Sequence, residues 1–246
     1  MNYDIGCITT IGNVRKSNQD RIFVQSMQRD GESCALLAVA DGMGGLNDGD
    51  KASTLVVRKL SEWWRQQTQL LPIQQTGQLL DAVLYEAHRE IYYQSEYGQR
   101  PSGTTLTLFW QQGQHYCIKQ IGDSRAYAIT PEGLRQLTVD QTWYNQKVRS
   151  GELTPEQAAQ DRRSKALVNA VGVSSELNIE TQFGCCQPGD FFLLCSDGFY
   201  KEAPLAELVW NKLQKQQMQD VLQSQIACLL QGPARDNASA ILCRLL

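Results

Sequence analysis

Acidic residues at the ends of apolar runs are the parts of this chain best placed to do chemistry. Asp41 closes the run in CALLAVADGMGG and Asp197 the run in FFLLCSDG. In each, a stretch too short to cross a membrane and right for a core strand delivers a carboxylate into a glycine turn. Further acidic turns are SNQD at 17–20, GDSR at 122–125 and DN at 236–237, which add Asp20, Asp123 and Asp236. Carboxylates presented from a hydrophobic scaffold repel one another and lose hydration, so a cluster of them needs a cation. Hard divalent ions take oxygen ligands and keep several waters, which suits a site of carboxylates without His or Cys.

Other chemistries fit less well. The cysteines, at 7, 34, 117, 185, 186, 195, 228 and 243, include no C-x-x-C pair, and several lie within apolar runs, so they read as reduced core residues. A cysteine-dependent phosphatase needs an arginine at a fixed short spacing after its thiolate, and no cysteine here has one. The only histidines, His88 and His115, lack ligand spacing to cysteines or acids and read as structural. DGMGG is not followed by the lysine and Ser/Thr of a nucleotide-binding loop. Asn237-Ala-Ser matches a glycosylation sequon and the final CRLL a prenylation box, but the asparagine adjoins a metal-ligand candidate and Cys243 lies inside a strand pattern.

The elements that must position the acids come from periodicity. Strand-like runs fall near 3–9, 20–27 and 34–40, and Asn47 and Asp48 offer caps for a following helix. Ala52, Leu55, Val56, Leu60, Trp63 and Trp64 share one helical face, and Leu80, Val83, Leu84, Ala87 and Ile91 share another. Thr104 to Leu137 reads as an antiparallel meander, with QQGQ, GDS and TPEG as its turns. A helical and irregular stretch covers about 140–170. Strands return near 178–184 and 190–195, Pro204 opens a helical pair reaching about 230, and ASAILCRLL closes as a strand. Strands scattered through the whole sequence with helices in blocks between them indicate an α+β fold.

With 246 residues, 42% hydrophobic and 20% charged, the chain can bury a full core, and nothing marks a domain boundary. A net charge of -3 with scattered Lys and Arg offers no basic face for nucleic acid. The apolar runs fall well short of about 18 residues, and the start has no signal-peptide pattern, so the expectation is a cytoplasmic protein without a membrane span.

Taken in order, GNVRKSNQD, AVADGMGG with the following KAS, SGTTLTLF, IGDSRAY, LTVDQ, ALVNAVG, FFLLCSDG and DNASAILC resemble the metal-dependent serine/threonine phosphatases of the 2C type, the PPM family. The match runs from about Asp4 to Arg244. The resemblance implies a four-layer α-β-β-α sandwich, with two central antiparallel sheets flanked by helices and metals in a cleft at one end. It further implies one catalytic domain over 1–246, a flap at about 140–170 and a helix after 170.

Carried over residue by residue, the resemblance has Asp41 bridging two Mg²⁺ or Mn²⁺ ions, with the Gly42 carbonyl supplying another oxygen. Asp197 and Asp236 complete the first metal, Asp20 acts through waters, and Arg15 binds the substrate phosphate. Asp123 resembles the residue that, with the SDG aspartate, holds a third and weaker ion in many bacterial members. Water held between two such ions becomes a hydroxide near neutral pH and attacks phosphorus in line, without a covalent enzyme intermediate. Arginine suits the phosphate because its planar fork meets two oxygens at once.

The chain departs from the family pattern at Gln19, where many members have Glu, which removes a charge near the second metal. Met43 stands where animal members carry a histidine, leaving a metal-bound water as the candidate proton donor. Gln141 stands where bacterial relatives often have His. The flap candidates for meeting a phosphoprotein are Trp143, Tyr144, Lys147, Arg149, Arg162, Arg163 and Lys165, although a plain solvated face explains them equally. The expected partners are phosphoproteins and a bacterial serine/threonine kinase, with type VI secretion control one setting, and the expected state is a monomer. Two rivals are a non-catalytic relative that kept the fold as a binding module, against which the intact aspartates argue, and a phosphatase of small phosphoesters.

Overall fold

The computed structural model describes residues 2–44, 48–95 and 102–246. In chain order the elements are β1 (Tyr3–Thr10), β2 (Asp20–Arg29), β3 (Glu32–Gly44), α1 (Asp48–Gln66), α2 (Ile73–Gln94), β4 (Ser102–Thr104), β5 (Leu106–Gln112), β6 (His115–Ile121), β7 (Arg125–Thr130) and β8 (Gly133–Gln136). There follow α3 (Trp143–Arg149), α4 (Pro155–Gln160), β9 (Glu180–Cys185), β10 (Phe191–Cys195), α5 (Asp197–Glu202), a 3-10 turn at Leu205–Glu207, α6 (Trp210–Leu213), α7 (Met218–Gln231) and β11 (Ala238–Leu245). One sheet runs β1-β11-β10-β7-β8 and the other β2-β3-β5-β6-β9, with β4 added beside β3, and every pairing is antiparallel.

The period of two along the strands produces the layers. In β3, Leu37 and Val39 point at the other sheet, where they meet Phe192, Leu194 and Ile241. Their neighbours Leu36, Ala38 and Ala40 point the other way, onto Leu55, Val56, Leu60, Leu80 and Leu84 of α1 and α2. β10 divides in the same manner, with Phe192 and Leu194 between the sheets and Phe191, Leu193 and Cys195 against Leu222, Ile226 and Leu229 of α7. Strands apolar on both faces are therefore covered on both faces, giving helix, sheet, sheet, helix as expected.

Several expectations need adjustment. The meander does not stay in one sheet: β5 and β6 pair in one and β7 and β8 in the other, so the GDS turn is where the chain changes layers. Asp41 does not stand in a turn, because β3 continues to Gly44 and there pairs with β4. Asp197 stands in the first turn of α5, after Ser196 at its N-cap. The segment 171–179 holds turns and bends rather than a helix. The cap expected at Asn47 lies outside the described residues. All the cysteines are free thiols, with Cys185 and Cys228 exposed, Cys7 half-buried and the others buried. Burial pushes the thiols of Cys34 and Cys186 up to about 12, so neither is set up as a thiolate. His88 is buried and its Nδ1 accepts the Gly172 N–H at 3.0 Å, a structural role, while His115 is the exposed first residue of β6. No helix among the described residues is long and apolar enough to cross a membrane.

Candidate metal centre

Asp20 opens β2 and stands directly opposite Asp41 across the β2–β3 ladder. On the other sheet, β10 and β11 pair with Cys195 opposite Ala240. Asp197 follows β10 and Asp236 precedes β11, so both come out at one end of that sheet. Ser196 joins the sheets, since its Oγ donates to Asp20 Oδ2 at 2.8 Å and accepts the Ser239 N–H at 2.9 Å. Asp41 is fixed through its backbone. Its N–H donates to Thr105 Oγ1 at 3.1 Å, and its carbonyl accepts from Thr104 Oγ1 at 3.0 Å and from the Thr105 N–H at 2.9 Å. Thr105 Oγ1 also lies 2.7 Å from Ser124 Oγ, which ties the strand carrying Asp41 to the turn carrying Asp123. That turn requires Gly122: its φ is +94° and a Cβ there would come within 2.6 Å of Thr105 Cγ2. Gly42 is buried beside Asp41 and its N–H donates to the Gln19 carbonyl at 3.2 Å.

Asn237 organises the loop that brings in Arg15. Its Nδ2 donates to the Ile11 and Ser17 carbonyls, each at 3.0 Å, and its Oδ1 accepts the Gln19 N–H at 2.9 Å. A buried amide with these partners is no glycan acceptor, and the buried Cys243 inside β11 is no lipid anchor. Arg15 lays its fork on both oxygens of Asp236, Nε at 2.8 Å and Nη2 at 2.7 Å. Lys201 Nζ donates to Asp197 Oδ2 at 2.5 Å.

The electrostatics are those of crowded acids. Burial pushes Asp20 up to about 6, against hydrogen bonds from Ser239 and Ser196 that pull it down, with Asp197 and Asp236 raising it further. Asp41 is raised well above the carboxylate range by burial, and Asp20, Asp197, Asp123 and Asp236 add to the rise. Asp123 is pushed up to about 6 by burial and by Asp197, with Lys201 acting against. Asp20 Oδ1 is buried and accepts no hydrogen bond. An unpartnered buried carboxylate oxygen beside acids that repel one another fits a divalent cation. Among the described residues no group of three or more His, Cys, Asp or Glu side chains stands as a ready cage, with Asp197 turned to Lys201 and Asp236 to Arg15.

These shifts give a sign. Acids that bind protons more tightly folded than unfolded favour the folded state below the unfolded value near 3.8, and that contribution is lost as pH rises through about 6. Chelated protein should therefore show a falling urea midpoint between about pH 4 and pH 6, with Asp20 alone costing on the order of 3 kcal/mol. Mn²⁺ should remove the fall by binding only the folded, ionised form. Burial lowers His88 below the usual imidazole range, so it contributes in the opposite direction with and without metal, and the difference between chelated and Mn²⁺-loaded curves isolates the carboxylates.

Sequence reasoning did not single out Ser196, Thr104, Thr105 or Lys201, and weighed Asn237 only as a glycosylation sequon. Gln141, noted there only as a departure, proves a staple: its Oε1 accepts the Gly122 N–H at 2.8 Å and the Asn169 amide at 2.5 Å. Several cationic flap candidates are paired, Arg149 with Glu180, Lys147 with Glu152 and Arg163 with Asp161.

The chain matches the family model described as protein phosphatase 2C over residues 13–239. It is 34% identical over 202 residues to the serine/threonine phosphatase stp of Listeria monocytogenes, covering 81% of this chain and 79% of that relative. The structure superposes on the catalytic domain of the serine/threonine protein phosphatase PstP in complex with two manganese ions, with a TM-score of 0.78 and 28% identity over 98% of this chain and 97% of that one. PppA of Pseudomonas aeruginosa, described as a key regulatory component of its type VI secretion system, superposes with a TM-score of 0.80 and 26% identity over 100% of this chain and 99% of that one.

Proposed function

This chain belongs to the protein phosphatase 2C family, and we propose from that membership that it is a metal-dependent phosphatase of phosphoserine and phosphothreonine in proteins. The observation that carries the reading is the convergence of Asp20, Asp41, Asp197 and Asp236 on one end of the sandwich with Arg15 beside them. Two Mn²⁺ or Mg²⁺ ions would be held by those four carboxylates and the Gly42 carbonyl, and the relative PstP is described in complex with two manganese ions.

Bound ions would lower the pKa of water toward neutrality and offset charge on the phosphate oxygens. The chain's own residues do the rest. Arg15 already presents both fork nitrogens to a bidentate carboxylate, and a phosphate offers the same spacing of oxygens, so Arg15 would orient the phosphoryl group at the edge of the acidic cluster. Thr104 and Thr105 hydrogen-bond the Asp41 backbone, which fixes the point from which its carboxylate enters the site. Met43 has no proton to give, so the leaving oxygen is not protonated from that position.

We place the activity in one catalytic domain over 1–246, with 140–170 as its flap, acting as a cytoplasmic monomer against a serine/threonine kinase. The likeness to PppA supports type VI secretion control as the setting, which the gene neighbourhood would test. The test of the reaction itself is hydrolysis of a phosphothreonine peptide with Mn²⁺, expected to stop with a chelator and return on adding Mn²⁺. Turnover indifferent to the chelator would refute the metal mechanism. A rate on p-nitrophenyl phosphate far above that on peptide would instead favour small phosphoesters.

A further inference from the structure

Beside the carboxylates, toward the 140–170 segment, lies a cavity of about 650 Å³ walled in part by Asp123, Arg125, Tyr144, Lys165, Tyr200 and Lys201. Asp123 and Lys201 thus face the same space. Lys201 stands one helical turn after Asp197 on α5, with its Nζ 2.5 Å from Asp197 Oδ2. The neighbouring cation is already committed: Arg125 forks onto Asp140 through Nε at 2.9 Å and Nη2 at 2.7 Å, and its guanidinium lies 3.7 Å from the centroid of the Tyr200 ring. Of the cations lining this cavity, Arg125, Lys165 and Lys201, it is Lys201 that is ion-paired to Asp197. The fields agree, since Lys201 acts on Asp123 while Asp197, Asp123 and Asp41 all act on Lys201. An Asp–Lys pair four residues apart on a helix is ordinary and weak. This one differs because its ammonium also shares a cavity with a second acid, Asp123, whose charge it opposes.

We propose that the Lys201 ammonium is a built-in cation, taking the place between Asp123 and Asp197 that the sequence resemblance gave to a third divalent ion, so that this chain binds two ions and not three. The proposal rests on the two-ion reading above. A lysine suits the task, being a compact point charge whose three donors can serve two carboxylates. A third ion entering the same place would have to take Asp197 Oδ2 from the ammonium and then sit beside it, positive against positive in a part-desolvated corner, whereas the first ion needs only Asp197 Oδ1. The side chain is 48% exposed, so removing it leaves the core untouched.

The experiment counts Mn²⁺ bound per chain by equilibrium dialysis from micromolar to millimolar Mn²⁺, with free ion read by electron paramagnetic resonance. The expected result is two ions for the wild type and for Lys201→Arg, which keeps the charge. Lys201→Ala should bind a third, weaker ion, and the double variant Lys201→Ala/Asp123→Asn should lose it again. A wild type that binds a third ion removed by Asp123→Asn overturns the proposal and leaves the two-ion reading standing. Lys201→Ala remaining at two ions also overturns it, since the ammonium would then be filling no site. A wild type that binds no Mn²⁺ defeats the two-ion reading itself, and the proposal with it.

Discussion

Asp41→Asn is expected to abolish turnover on a phosphothreonine peptide while leaving the chelated protein at least as stable as the wild type. The two effects run in opposite directions for one reason. Asp41 is raised by burial and by the charges of Asp20, Asp197, Asp123 and Asp236, so ionising it in the chelated protein is unfavourable and a neutral amide of the same shape relieves the repulsion. The strand does not depend on the carboxylate, because the Asp41 backbone is held by Thr104 and Thr105. Stability without metal should stay level or rise by on the order of 1 kcal/mol, read as the urea midpoint at neutral pH. The same substitution removes the charge proposed to bridge both ions. A loss of at least about a thousandfold in kcat corresponds to roughly 4 kcal/mol of barrier. Arg15 stays on its own loop, so KM should change far less than kcat. An Asp41→Asn enzyme within about tenfold of wild type would show that the ions are held elsewhere, and an unfolded one that the carboxylate is structural.

The strands that carry the acids were readable because their apolar runs are continuous, and a run buried on both faces looks the same wherever it lies. For that reason β5, β6, β7 and β8 read as one meander although β7 and β8 belong to the opposite sheet. Nothing in the alternation of RAYAI distinguishes the inner face of one sheet from that of its neighbour. The cross-strand meeting of Asp20 with Asp41 follows from the β2–β3 hairpin, where Arg29 pairs with Glu32 and every pair before them is set by that register. The meeting of Asp197 with Asp236 has no such local origin. The helix at Asp197 did have a local signal, a serine followed by an acid in the first turn, but SDG reads equally as a turn. Residues that hold the site by side-chain bonds across the chain were the least legible. Ser196 reaches Asp20 and Asn237 reaches Ser17 over most of the sequence, and a lone polar residue in a strand-end pattern does not announce its partner.

Gly198→Ala is expected to cost about 2 to 4 kcal/mol in stability and nearly all the activity, though it adds one methyl group and removes no functional atom. A Cβ at residue 198 would lie 2.1 Å from the Asn237 carbonyl oxygen and 3.1 Å from Asp236 Cβ. The first contact is with backbone, so no rotamer change relieves it, and either the start of α5 or the 236–237 segment must move. Overpacking a rigid contact of this kind places the loss at the upper end of ordinary single substitutions. The activity loss has a separate cause. Asp197 and Asp236 lie on either side of this contact, and Asn237 holds the loop bearing Arg15 through the Ile11 and Ser17 carbonyls. A shift of about an ångström at Gly198 therefore parts two proposed ligands and moves the proposed phosphate-binding arginine at once. The two consequences separate by temperature. At 10 °C, where the destabilised protein remains folded by circular dichroism, turnover should still be reduced at least about a hundredfold and Mn²⁺ affinity weakened. Recovery of wild-type turnover in that folded sample would mean that the close approach of α5 to Asn237 serves only stability.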